Sequence, residues 1–422
     1  MSAALSALQN FMTTHTLHPI VLNTQAVNFQ ALPPLSLYIH IPWCVRKCPY
    51  CDFNSHEARD AFPEREYVAA LIRDLELALP LIWGRKVYTV FFGGGTPSLL
   101  SGESVAEILR QVRMLLPLDI GAEITLEANP GTVEAGRFAA YRDAGVNRLS
   151  LGIQSFNDAH LQALGRIHTA DEARRAIEMA QQHFDNINLD LMYALPGKNQ
   201  DKTLGQTLEQ ALRDAQTALT FAPQHLSCYH LTLEPNTLFH RNPPALPDDD
   251  IGSDMQQRIE ELLAAHGYLH YETSAFALPK RQSRHNLNYW QFGDYLGIGA
   301  GAHSKLSFHD RVIRQMRYRQ PQDFMRHVAQ DAPVQTEHQV GCEELAFEFM
   351  MNALRLNEGF DSALFGERTS LPLASIRREL DEAERRGLLS RDHRRIAPTQ
   401  LGQRFLNDLL EIFMKQDLGA GI

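Results

Sequence analysis

Three cysteines fall within eight residues, in Cys44-Val-Arg-Lys-Cys48-Pro-Tyr-Cys51. Thiols crowded on one loop oxidise readily unless something binds them, so a shared metal centre is the first chemistry to weigh. Zinc takes four tight ligands; no fourth cysteine lies nearby, and His40 or His56 would have to complete the set. An iron–sulfur cube on three cysteines leaves one iron open to a small-molecule ligand. Both readings stand on spacing alone. A second set of polar residues is scattered further along. Gly93-Gly94-Gly95-Thr96-Pro97 is a glycine-rich turn, whose backbone can approach a ligand closely and leave N–H groups free for its polar end. Glu127, Gln154, Arg166 and Asp190 follow, each an even choice between binding and structure when taken singly.

The elements around these residues give them a common address. Short apolar runs at 35–42, 87–92, 123–128, 148–154, 187–195 and 226–233 alternate with amphipathic stretches at 66–79, 105–116, 134–144, 170–182 and 202–218. Such alternation with near-continuous apolar strands predicts a parallel sheet covered by helices. Six units in about 200 residues fall short of an eight-fold barrel, so the fold class is α/β, a partial (β/α)6 barrel. The cysteines then follow the first strand. The glycine turn and the four polar residues sit at the C-terminal ends of later strands or in the loops behind them, where α/β folds gather ligands. Five polar positions on one edge predict one shared ligand.

Four segments are expected: a flexible leader (1–34), the barrel (35–240), a connecting region (241–340) and a C-terminal helical domain (341–422). The last reads as helix, helix, short β-like turn and helix, resembling a winged helix. Its Arg377, Arg378, Arg385, Arg386, Arg394 and Arg395 are interleaved with Glu379, Asp381, Glu382 and Glu384, the pattern of a solvated charged face rather than a nucleic-acid surface. The 422 residues carry a net charge of −10, which argues further against general nucleic-acid affinity. With 44% hydrophobic and 21% charged residues the chain is not mostly disordered. Five cysteines make no disulfide framework; Cys228 and Cys342 read as small buried hydrophobes. No stretch is long and apolar enough to span a membrane. No Lys or Arg precedes Arg46, so no secretory or transit signal is read, and a cytoplasmic location is expected.

The spacing C-x3-C-x2-C, with Tyr50 before its last cysteine and a first barrel strand before it, resembles the radical S-adenosylmethionine (SAM) superfamily. The resemblance implies a [4Fe–4S] cluster on Cys44, Cys48 and Cys51, and SAM chelated at the open iron and cleaved by electron transfer from the cluster. It assigns Tyr38, Tyr50, Gly94, Gly95, Thr96, Glu127, Gln154, Arg166 and Asp190 to SAM. Within the superfamily, Tyr38-Ile-His-Ile-Pro-Trp-Cys44 and Asp190-Leu-Met-Tyr look like the oxygen-independent coproporphyrinogen III oxidase group. The true oxidase carries a further cysteine two positions beyond the third. Here that position is Phe53, and Cys51-Asp-Phe-Asn-Ser-His56 is typical of the HemW-type heme chaperones. His285-Asn286-Leu-Asn-Tyr289-Trp290 matches their H-N-x-x-Y-W heme motif. Composition alone favours a loop packed on the barrel; the resemblance instead assigns His285, Tyr289 and Trp290 to heme. Trp43, where Phe is common, and Ala194, where Gly is usual, are small departures. The partners implied are heme, acceptor hemoproteins (membrane-associated ones included) and a reductant protein for the cluster. Oxidase activity is not expected. His303 is the foremost candidate for another axial ligand, and homodimerisation, frequent with exposed three-cysteine clusters, is left open.

Overall fold

The computed structural model describes residues 27–58, 62–132, 135–197 and 205–414. Six parallel strands form the barrel: β1 (Leu35–Ile41), β2 (Val87–Gly94), β3 (Leu118–Ala128), β4 (Arg148–Gln154), β5 (Ile187–Tyr193) and β6 (His225–His230). They lie in sequence order, joined through helices that include α1 (Glu64–Ala78), α2 (Gly102–Leu115), α3 (Ala135–Ala144), α4 (Ala170–Gln181) and α5 (Leu208–Thr220). The first three residues of the stretch expected as the fifth helix, 202–204, lie outside the described residues.

Strand periodicity sorts the side chains into two sets. Leu35, Leu37, Ile39 and Ile41 of β1, Leu149, Leu151 and Ile153 of β4, and Ile187, Leu189 and Leu191 of β5 are buried in one apolar core. Their alternates line the lumen and are polar: Ser36 and His40, Thr125 and Glu127, Arg148 and Ser150, Asn188 and Asp190, His225 and Ser227. Cys228 joins the outer apolar set, as a small hydrophobe would. The two-residue period thus produces an apolar outer face and a polar lumen from the same strands.

Residues 269–339 do more than connect. β7 (Leu269–Glu272) and β8 (Ala275–Ala277) extend the sheet beyond β6, and β9 (Asp294–Ile298) pairs in parallel with β1 on the other side. β10 (His303–Ser307), β11 (Val312–Arg317) and β12 (Val334–Gln339) continue it antiparallel to twelve strands. Gly297, Gly299 and Gly301 break the pattern around β9 and β10, and β12 has a single apolar residue, so periodicity did not reveal these strands.

The expected leader is only partly outside the described residues, and its described part is not flexible. Phe29 is 3% exposed, its N–H donates to His309 O (2.9 Å), and it packs with Phe292 in the C-terminal core. The helices Cys342–Ala353, Ser362–Thr369 and Arg377–Arg385 stand with a three-stranded sheet of Phe360–Asp361, Arg395–Pro398 and Leu389–Arg391. Arg385, Arg386 and Arg391 form ion pairs with Glu382, Asp381 and Glu384, the charged surface expected from the interleaved sequence. No helix among the described residues is long and apolar enough to cross a membrane.

Candidate functional site at the barrel mouth

The cysteine loop is fixed by its own backbone. His56 N–H donates to Pro42 O (2.7 Å) and Ala58 N–H to Cys44 O (2.9 Å), closing the loop at its base. Lys47 Nζ reaches back to Phe53 O (3.0 Å), and Cys51 N–H donates to Cys48 O (3.1 Å). Cys44, Cys48 and Cys51 are half-buried and line a cavity of about 530 Å³ at the C-terminal ends of the strands. Burial pushes the thiols of Cys44 and Cys51 up, and the Thr96 hydroxyl counters this at Cys44 by offering its sulfur a hydrogen bond. Such thiols deprotonate when a positively charged centre binds them.

A single zinc ion fits poorly. Tyr38 Oη lies 3.1 Å from His40 Nδ1, while His40 Nε2 bonds Asn54 O (2.9 Å), and burial lowers that ring to about 4. His56 Nε2 bonds Arg319 O (3.3 Å). Among the described residues no three His, Cys, Asp or Glu side chains converge closely enough to share one metal ion. Three cysteines that face one cavity without sharing a point suit a cube, in which each holds a different iron.

Tyr50, Gly94, Gly95, Thr96, Glu127, Gln154, Arg166 and Asp190 line the same cavity. Arg166 bridges the cluster loop to the barrel, donating to Cys48 Sγ (3.6 Å) and Gly152 O (2.8 Å). Asp190 accepts from Ser150 Oγ (2.9 Å) and Asn188 Nδ2 (2.8 Å). Glu127 accepts from Gly94 N–H (3.3 Å); burial, then the Asp190 charge, pushes its carboxyl up to about 8.

The glycine turn behaves differently from the expectation of free N–H groups. Gly95 N–H donates to Ile41 O and Thr96 N–H to Trp43 O, both at 2.7 Å, and Gly94 N–H is taken by Glu127. A ligand's ammonium needs acceptors, so only the carbonyls of this turn are chemically suited to it. The glycines are demanded by packing on β1. A Cβ at Gly95 would stand 2.5 Å from Trp43 O, and one at Gly94, whose φ is +112°, 2.6 Å from the His40 ring.

Four expected site residues do not line the cavity: Tyr38, His285, Tyr289 and Trp290. Tyr38 is stacked against Phe91 (6.2 Å) beside it. The other three belong to the helix Arg284–Trp290, which packs on β1, β2 and β9. His285 is 1% exposed and stacked on Phe91 (4.9 Å), with Nδ1 2.7 Å from Thr89 Oγ1. Thr89 donates its own hydroxyl to Ser36 Oγ (2.8 Å), so His285 Nδ1–H is the donor to Thr89 and Nε2 keeps its lone pair. Nε2 has no hydrogen-bond partner among the described residues, and burial lowers the ring to about 3, so it is neutral. Tyr289 touches the His285 and Trp290 rings at 5.1 and 6.4 Å, and Arg355 lies 4.2 Å over the Trp290 ring. His303 is exposed at the start of β10.

Among the cavity residues not assigned to the site from the sequence are Asn286 and Arg148. Asn286, the second residue of the motif, reaches the cavity when its neighbour His285 does not. Arg148, the first residue of β4, has its side chain in the lumen; strand alternation with the outward Leu149 was the available signal.

Comparison with known proteins gives the family. The radical SAM superfamily model matches residues 38–211, and the HemN C-terminal domain model residues 342–405. The heme chaperone HemW of Escherichia coli (strain K12) is 50% identical over 389 residues, covering 91% of this chain and 99% of that protein. That settles the family. The chain belongs to the HemW heme-chaperone family of the radical SAM superfamily. HemW of Haemophilus influenzae is 45% identical over 92% of this chain and 99% of its own. Mitochondrial radical S-adenosyl methionine domain-containing protein 1 of Bos taurus is 35% identical over 89% of this chain and 86% of its own. Among solved structures, coproporphyrinogen III oxidase (HemN) from Escherichia coli superposes with a TM-score of 0.76 at 23% identity over 90% of both chains, a likeness of fold.

Proposed function

We propose that this chain is a heme chaperone that binds heme and passes it to acceptor hemoproteins. The reading is carried by 50% identity over nearly the full length of a protein named heme chaperone HemW. It is supported by the neutral, unpartnered Nε2 of His285, a donor of the kind that ligates heme iron. The helix Arg284–Trp290 would present His285, with Tyr289 and Trp290 as aromatic faces against the porphyrin. Since His285 is buried under Phe91 and Tyr289, heme reaches it only when that helix moves.

Cys44, Cys48 and Cys51 would hold a [4Fe–4S] cluster, and the cavity beside them would hold SAM. A bound cluster supplies one-electron chemistry to SAM at its open iron. The chain's own residues do the positioning. The Gly93–Gly95 carbonyls accept from an ammonium, Glu127 and Asp190 accept from hydroxyls, and Arg166 holds Cys48 and the barrel together. A reductant protein is the implied electron source, and a homodimer remains the open assembly.

The test loads purified protein with heme and mixes it with an apo-acceptor, following the Soret band. Transfer that is lost in His285→Gln supports the reading. No transfer from the wild type overturns it; full binding and transfer by the variant removes His285 from the heme site. A parallel anaerobic assay with SAM and coproporphyrinogen III should yield no protoporphyrinogen. Phe53, 61% exposed in the extra-cysteine position of the oxidase, is the reason for expecting none.

A further inference from the structure

Arg148 is a lumen residue that the SAM reading does not use. It is 2% exposed, yet it lines the cavity. Its charge acts through space on Glu127 and Asp190, drawing both carboxyls down against burial, with no hydrogen bond to either. Its Nε has no partner among the described residues. A buried guanidinium normally has its donors matched, because an unmatched buried charge is costly.

Two further buried polar atoms without partners stand at the same level. Thr125 Oγ1 is one, and Thr125 is the direct cross-strand partner of Arg148. His285 Nε2 is the other; its ring stacks on Phe91, which is the cross-strand partner of Thr125 on the other side. Asn286 lines the cavity, and Phe91 supplies an apolar wall. The floor of the cavity therefore holds a fixed cation from Arg148, the amide of Asn286 and the aromatic face of Phe91, whereas Thr125 and His285 do not line it.

We propose that this floor is a binding subsite for a carboxylate on a short aliphatic chain, a second ligand taken beside SAM. Arg148 matches a carboxylate with paired N–H donors. The single positive charge of Arg148 matches a singly charged group, whereas a dianion would leave one buried charge unpaired. Phe91 packs on the aliphatic part. The proposal rests on the SAM reading of the upper cavity, and it is independent of heme transfer. The carboxylate belongs either to a free small acid or to an arm of a larger molecule.

The test uses full-length protein, anaerobically reconstituted and SAM-saturated, with propionate as the probe. Propionate labelled at its carboxyl carbon should show saturable paramagnetic broadening from the reduced cluster in the wild type. Arg148→Met should weaken propionate at least about tenfold, the loss of a charge-assisted bidentate contact, while SAM affinity stays within about twofold. Arg148→Lys, which keeps the charge and packs with less disturbance, should give an intermediate loss. Absence of broadening in the wild type overturns the proposal whatever the variants do. Equal propionate affinity in a folded variant overturns it as well. Equal loss of SAM and propionate in Arg148→Met also overturns it, placing Arg148 in the SAM site. Failure of the wild type to bind SAM at all indicts the SAM reading, and the subsite with it. Displacement of propionate by mesoporphyrin but not by its dimethyl ester assigns the carboxylate to a tetrapyrrole arm; no displacement by either assigns it to a free acid.

Discussion

The barrel mouth and the helix that packs against the strands carry the two sequence motifs, and they are built on opposite plans. At the mouth, residues far apart in sequence converge because each lies on the lumen face of one sheet, within a strand, at its end or in the loop beyond it: Cys44, Glu127, Gln154 and the mid-strand Asp190 all line one cavity. In the helix Arg284–Trp290, residues close in sequence diverge. His285 points into the packing under Phe91, Asn286 faces the cavity, and Trp290 turns toward Arg355. A strand register gathers side chains, whereas a helix distributes neighbours around its axis. The mouth is thus ready for a ligand as it stands, while the helix must move before its histidine meets one.

The largest effect should come from the mouth. Cys44→Ala removes one of three cluster ligands, and anaerobic reconstitution should give a protein without stable cluster, read as loss of its visible absorption and paramagnetic signal. Folding should persist, because the thiol is half-buried on a loop closed by backbone hydrogen bonds. Retention of a full cluster would mean that the three-cysteine reading is wrong.

The helix should respond in the opposite sense, through stability. His285→Ala leaves a cavity beneath Phe91 and deprives Thr89 of its partner, a loss of about 2–4 kcal/mol in denaturant unfolding. Loss of heme binding by that variant alone would then be ambiguous. Thr89→Val keeps the ring in place and removes its Nδ1 acceptor, together with the Thr89 donation to Ser36 Oγ. It should lose about 1–2 kcal/mol and alter the heme Soret band if Nε2 is the ligand. An unchanged band would detach His285 from the iron.

This contrast also separates what sequence could reveal from what it could not. β1, β4 and β5 were legible because their outward residues are apolar and regular, and the site at their ends followed from counting strands. Strands β9–β12 were not legible: Gly297, Gly299 and Gly301 break the pattern around β9 and β10, β12 has a single apolar residue, and only long-range pairing with β1 makes Asp294–Ile298 a strand. The glycine turn was read correctly in place and incorrectly in mechanism. Its type revealed a close approach but not that the approach is to His40 and Trp43. The motif residues were legible as a string, yet their burial depended on which helix face meets Phe91, and no local pattern encodes that.

The lumen of the mouth makes a pH prediction. Glu127 has an ordinary value of 4.5, raised to about 8 by burial first and by Asp190 second. The folded chain therefore holds this proton more tightly than the unfolded chain, so stability falls as pH rises from about 4.5 to about 8. Across that window the SAM-free protein should lose a few kcal/mol, at about 1.4 kcal/mol per pH unit. Glu127→Gln should flatten the curve over this window, with a residual slope from Asp190, whose carboxyl burial also raises. An unchanged slope would mean that Glu127 is already ionised at neutral pH, and would remove the reason for treating the upper lumen as electrostatically strained before SAM enters.

The smallest effect tests whether the C-terminal domain restrains the helix. Arg355 follows the helix Cys342–Ala353, lies 4.2 Å over the Trp290 ring, and donates to Glu272 Oε2 of β7 (3.3 Å). One side chain thus ties the C-terminal domain to both the sheet edge and the last residue of the motif helix. Arg355→Met keeps much of the packing and removes the cation. A partly buried cation–π contact and one ion pair together predict a loss of about 1 kcal/mol. That is too little to unfold the protein, but sufficient to raise opening of Arg284–Trp290 about fivefold, read as faster amide exchange confined to that helix. Faster heme uptake in the same variant would place the restraint on the path to His285. Exchange that rises equally across the barrel would instead make Arg355 a general packing residue and leave the helix held by Phe91 and Thr89 alone.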